Sequence, residues 1–289
     1  MRSRSDASFL SVAGDGFWSA VIHDPLPIGL VAVGLVAGTS VLLDVVPSGP
    51  LLLAAFCGTA LVYGIDRVLS RSPEDRLNRP ERVAWRRRRR GVFWVEGAGL
   101  VGGLAYALLH LRPATIGVAA VLGAVGVLHS VRALPGGRRL KALGGLKPFI
   151  VAGVWSGGAV ALPVIEARAP VTVAVGALCA YRFVFILPNI LLADWADREG
   201  DAAAGLNPWA LRWSRHSLRV VCTTLLGAGM LGAGVGAVFL GAPALLILDA
   251  VGYGLMAAGT WTLHPDTSPA HAFLLDLVVA WPIVVWGVH

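Results

Sequence analysis

Asp194, Asp197 and Asp201 are spaced i, i+3 and i+7, and they follow a long apolar run that ends in Asn189-Ile190-Leu191-Leu192-Ala193. At about 100° per residue, a helix brings the three carboxylates within about 60° of one another around its axis. Like charges so arranged repel unless cations neutralise them, and at a membrane boundary that pattern points to a divalent-metal site. Magnesium suits the set, because it takes oxygen ligands, keeps several waters and is commonly shared between carboxylates and substrate phosphates. Asp66 is a further candidate catalytic residue and metal ligand beside Asp194, Asp197 and Asp201; it ends another apolar run and is followed by Arg67. Cations able to serve phosphate oxygens are Arg67, Arg198 beside the acidic trio, and Arg139, Lys141 and Lys147 in a basic segment. Lys141 and Lys147 are the only lysines in the chain, and a compact ammonium reaches an oxygen where a planar guanidinium does not fit. Asn189, about a turn before Asp194, is placed to orient it and to join in binding the anion. The chemistry of this set is recognition of a polyanion through metal.

Membrane-spanning helices must hold these residues. Only 14% of the 289 residues are charged, against about a quarter in soluble domains, and the mean hydropathy is +0.72. Nine runs are long enough to cross a hydrocarbon core of about 30 Å: 26–46, 50–69, 91–111, 114–132, 148–165, 170–193, 217–239, 243–263 and 271–288. The expected fold is an all-α polytopic membrane bundle, with one transmembrane domain over 26–289. Residues 1–25 form an N-terminal segment whose Phe9, Phe17 and Trp18 suit the interface; with Asp6, Asp15 and Asp24 it lacks the apolar core of a cleavable signal peptide.

Placing the N-terminus and the loops 67–90, 132–147 and 198–219 on one side gathers 21 of the 24 Lys and Arg residues there. The positive-inside rule makes that side cytoplasmic, as in a bacterial inner-membrane protein. The net charge of +7 is then a topology signal and no sign of a nucleic-acid partner; Arg86 to Arg90 suit anionic lipid headgroups. Glycines such as Gly97, Gly99, Gly102 and Gly103 allow close helix approach within one chain or between chains, which leaves the oligomeric state open. Cys57, Cys179 and Cys222 fall in predicted spans as small core residues. Arg182, inside the sixth span, needs a buried partner, for which Glu96, Asp249 and Asp276 are the candidates.

Asp66-Arg67 after the second run is echoed by Asp197-Arg198 after the sixth. At these residues the sequence resembles the UbiA superfamily of intramembrane prenyltransferases. The family's second signature, DxxDxxxD with Gly before the last Asp, matches at Asp194, Asp197, Gly200 and Asp201. Ser130, Pro135 and Arg139-Leu140-Lys141 match the family segment after the fourth span, with His129 replacing an aromatic. The first signature, NDxxDxxxD, departs: Val62, Tyr63 and Ser70 stand at three of its positions and only Asp66 survives, so the chain looks like a divergent branch in which Glu74 or Asp75 is the available substitute.

The resemblance implies about nine helices around a central, lipid-open cavity that holds an isoprenoid tail, with the diphosphate at its cytoplasmic mouth. It implies magnesium-dependent transfer of a prenyl group from a prenyl diphosphate to a lipophilic acceptor, expected to be aromatic. Aromatic walls would shield a carbocation from water and stabilise it by cation–π contact; Tyr63, Trp94, Trp155, Tyr181, Phe183 and Phe185 are the candidates. Two alternatives stay open at this point: a cyclase on the same scaffold that needs no acceptor, and a non-catalytic lipid-binding or transport protein.

Overall fold

A computed structural model describes residues 18–69, 77–130, 145–203, 209–239 and 243–289, and every regular element among them is helical. In chain order these are α1 (Leu26–Leu42), α2 (Gly49–Leu69), α3 (Pro80–Arg88), α4 (Arg90–His110), α5 (Pro113–Ser130), α6 (Lys147–Glu166), α7 (Val173–Ala203), α8 (Arg215–Phe239), α9 (Pro243–Thr262), α10 (Pro269–Val279) and α11 (Pro282–Gly287). Among the described residues six helices, α2, α4, α6, α7, α8 and α9, are long and apolar enough to cross a membrane, while α1, α5 and α10 are shorter apolar helices. The protein is an integral, multi-pass membrane protein. Prolines mark the starts, where a missing N–H costs least: Pro27, Pro148 and Pro269 lie in the first turns of α1, α6 and α10.

The last apolar run, expected as one span over 271–288, is broken instead. Helix α10 stops at Val279 and α11 restarts at Pro282, because proline removes a donor and its ring clashes with the preceding turn. The chain crosses the break with tight bonds, Trp281 N–H to Val278 O and Ile283 N–H to Ala280 O, each 2.9 Å. Gly38 lies directly against Pro282, so α11 and α1 pack backbone to backbone.

Of the four glycines expected to bring helices together, only Gly103 does so: a Cβ there would sit 2.8 Å from Cys57 Sγ, whereas Gly97, Gly99 and Gly102 face open space. The three cysteines are free, with Cys57 and Cys222 buried.

Helix α7 is 31 residues long and runs through Pro188 to Ala203. The acidic trio therefore rides on a rigid helix and not on a loop. The molecule divides by packing. Helices α7, α8, α9 and α10 enclose a dense core that includes Phe185, Leu191, Leu218, Leu226, Tyr253, Met256 and Leu275. Helices α1, α2, α4, α5 and α6 instead surround a cavity.

A buried ion pair within the filled half is tied to the other half through α1. Arg182 and Asp249 both have fully buried side chains; Arg182 Nη1 donates to both Asp249 oxygens at 3.0 and 2.7 Å, and its Nε donates to Thr39 Oγ1 of α1 at 2.8 Å. Of the three expected partners, Asp249 is the one. Removing one member of such a pair leaves an uncompensated buried charge, which costs about 3–5 kcal/mol. Asp249→Ala is expected to lose about that much stability in thermal melts of the detergent-solubilised protein, and Arg182→Met with Asp249→Leu to regain most of it; equal melting of Asp249→Ala and the parent protein would refute the assignment.

Candidate functional site

The i, i+3, i+7 carboxylates of α7 are each met by a different side chain. Lys147 Nζ, at the start of α6, lies 2.5 Å from Asp194 Oδ1, and Trp209 Nε1 donates to Asp194 Oδ2 at 3.4 Å. Arg79 Nη2, just before α3, lies 3.1 Å from Asp197 Oδ1, and Asn78 Nδ2 donates to Asp201 Oδ1 at 3.0 Å. Asn78 can approach only because residue 200 is glycine: a Cβ on Gly200 would overlap the Asn78 amide. The segment after α2 is thereby clamped onto α7, and Arg79 Nη1 also reaches the carbonyl of Pro265 before α10, at 3.4 Å.

The cavity has a volume of about 530 Å³ and an almost wholly apolar wall. Tyr63 and Asp66 of α2 stand at one end with Val127 of α5 and Ile150 of α6; Leu51, Leu111, Thr115 and Leu162 line the other. Tyr63 packs edge-on against Trp155, ring centroids 6.3 Å apart, and Leu162 packs against the cluster of Val36, Leu51 and Leu111, so α2 and α6 run antiparallel. Lys147 is one residue short of a turn from Ile150, so the Asp194–Lys147 pair borders the end of the cavity that carries Asp66. At the far end Thr115 Oγ1 donates to Glu166 Oε2 at 2.6 Å.

The remaining expected site residues have other roles in the structure. Arg67 bonds the carbonyl of His23, and its Nε is buried without a partner. Arg198 folds back on its own helix, donating to Trp195 O at 2.7 Å and to Glu199 Oε1 at 2.8 Å, with its guanidinium 3.7 Å from the Trp195 ring centroid. Asn189 does not orient Asp194; its Nδ2 donates to Asp276 Oδ1 of α10 at 2.8 Å. Among the six aromatic residues expected to wall the cavity, Tyr63 and Trp155 do so. Trp94 is exposed on the outer surface, and Tyr181, Phe183 and Phe185 pack in the other half. Arg139, Lys141, Glu74 and Asp75 lie outside the described residues.

Asn78, Arg79 and Asp276 were not read as site residues from sequence. Asp276, on α10, is tied to α7 through the bond from Asn189. Nothing in the local sequence around Asn78 or Arg79 distinguishes them within an Arg-rich loop; only the match of three partners to three carboxylates does.

Among the described residues no three His, Cys, Asp or Glu side chains form a metal cage. An all-protein site is not what magnesium requires, however: it is commonly held by one or two carboxylates, with water and phosphate oxygens completing the shell. Asp194, Asp197 and Asp201 are oxygen donors on one face and fit that mode.

No protein-family model matches the chain, and no curated protein matches it. Solved structures do. An apo UbiA homologue from Aeropyrum pernix K1 superposes with a TM-score of 0.64 at 13% identity, over 90% of this chain and 98% of that one. A UbiA homologue from Archaeoglobus fulgidus bound to DMAPP and Mg²⁺ gives 0.59 at 14%, over 94% and 100%. A structure of digeranylgeranylglyceryl phosphate synthase gives 0.50 at 12%, over 95% and 98%. The chain has the UbiA fold. Within that fold, the carboxylate face of α7 and the cavity of α2, α5 and α6 meet at one end of the bundle.

Gly200→Ala is expected to push Asn78 off α7 and leave polar groups unpaired, at about 1–3 kcal/mol. It should lower the melting temperature, whereas Gly99→Ala, which meets open space, should not; the same melting temperature for both would show that the clamp is absent.

Proposed function

We propose that this protein is a divergent UbiA-type prenyltransferase, which moves a prenyl group from a prenyl diphosphate to a lipophilic acceptor within the membrane and depends on Mg²⁺. The observation that carries the reading is the junction of an apolar cavity with a charged mouth: Asp66 lines one end of the cavity, and the Asp194–Lys147 pair borders that same end, about a turn from the lining residue Ile150. An amphiphile with a long hydrocarbon tail and a polyanionic head matches both parts. Among proteins of this fold, the Archaeoglobus homologue was solved with prenyl diphosphates, DMAPP and GPP, each together with Mg²⁺.

In this reading Asp194, Asp197 and Asp201, with Asp66 on the other side of the mouth, are the carboxylates that would hold Mg²⁺, one or two to an ion, and the metal would stabilise the charge on the departing diphosphate. The chain's own residues do the rest. Lys147 and Arg79 now neutralise α7 carboxylates, and once those carboxylates face a metal the two cations are placed to pair with diphosphate oxygens. Positive groups preorganised where negative charge develops are the electrostatic contribution that usually dominates catalysis. The C1–O bond of the prenyl diphosphate breaks with its electron pair leaving on the diphosphate. C1 then bonds to the nucleophilic atom of the acceptor, which gives up a proton. Tyr63 and Trp155 shield the electron-deficient C1 from water and offer their ring faces to it. The excess of Lys and Arg in the sequence's longer loops supports a mouth on the cytoplasmic side of a cell membrane, by the positive-inside rule.

The test is diphosphate release by the purified protein with a panel of prenyl diphosphates and a lipid extract as acceptor source. Magnesium-dependent release is expected, falling at least about 100-fold in Asp194→Asn and in Asp197→Asn, in line with the loss of a main electrostatic group. Release that is unchanged in both variants, or absent from the parent protein at every chain length, would overturn the proposal.

A further inference from the structure

The cavity has a defined length, and helix geometry measures it. Its lining on α2 runs from Asp66 to Leu51, and on α6 from Ile150 to Leu162. At 1.5 Å per residue these walls extend about 22 and 18 Å. A fully extended chain advances about 1.2 Å per bond, so the four backbone bonds of one isoprene unit take up about 5 Å. Four units therefore reach from the mouth to the far end, and a fifth does not.

The wall also shows how that length is kept available. Gly58 lines the cavity on α2, and a Cβ built there meets nothing within 4 Å. It lies eight residues from Asp66, about 12 Å along the helix, within the third unit of an extended chain. A side chain at this point would divide the cavity. At the far end Leu51 and Leu111 are buried together and Leu162 packs against them.

Resting on the prenyl diphosphate reading above, we infer that this protein is built for a prenyl diphosphate of four isoprene units, with Gly58 keeping the channel open and Leu51, Leu111 and Leu162 ending it. Calorimetric titration of the parent protein in detergent micelles with unreactive prenyl thiodiphosphates of one to six units tests the inference without relying on turnover. The dissociation constant is expected to fall with each added unit up to four and to stay level or rise at five and six. In Gly58→Phe the tightest ligand should be the two-unit one, at least tenfold tighter than the four-unit one. Affinity that is indifferent to length, that peaks at two units or fewer in the parent protein, or that keeps rising through six overturns the inference while leaving the prenyl diphosphate reading intact. Binding of none of the six overturns both. Should Gly58→Phe fail to fold, the series on the parent protein decides alone.

Discussion

The rest of the structure depends on the neutralisation of one helical face. Three carboxylates within about 60° on α7 repel one another, and the bundle answers each with a different group: Lys147 to Asp194, Arg79 to Asp197 and Asn78 to Asp201. Those partners come from the start of α6 and from the segment between α2 and α3. The electrostatic requirement of a single helix therefore sets where two other parts of the chain must sit. It closes the charged end of the bundle and brings Asp66, on α2, to the same end. The pairs are also replaceable, since a metal and a diphosphate offer the carboxylates and the cations new partners of the right sign.

The two halves of the bundle have different tasks and different packing. The α7 to α10 half is filled, and its Arg182–Asp249 pair with the bond to Thr39 holds α1 against it at a depth where no water compensates for a misplaced charge. The α1, α2, α4, α5 and α6 half is left hollow. A hollow half keeps its shape because α6 and α2 are pinned at the charged end, and because Leu51, Leu111 and Leu162 pack together at the other. Rigid support on one side and empty apolar space on the other is the arrangement a site needs when it must place a charged head accurately while accommodating a flexible tail.

Much of this was legible in the sequence, for reasons particular to each element. Apolar runs of about 20 residues with few charges read directly as helices, and each of the nine runs does hold one. The run over 271–288 misled because hydropathy does not register the backbone break at Pro282. The i, i+3, i+7 spacing identified the acidic face because a helix repeat converts spacing into direction. Its partners were invisible because Asn78 and Asp201 are 123 residues apart, and no local pattern records a pairing across such a distance. Asn189 was assigned to Asp194 by adjacency on one helix, but its side chain leaves that helix for Asp276 on another. The aromatic residues at 181, 183 and 185 follow the same lesson: periodicity indicates that they are buried, not in which half.

The central claim is that one ligand occupies both the charged mouth and the hollow half. Photo-crosslinking tests it most directly, using a prenyl diphosphate with a photoreactive group at the tail end and peptide mapping of the adducts. The account predicts labels confined to the cavity walls, within 32–36, 51–66, 104–127 and 150–162, lost when unlabelled prenyl diphosphate and Mg²⁺ are added in excess. Labels concentrated on α8 and α9, or labelling that excess ligand does not displace, would contradict it.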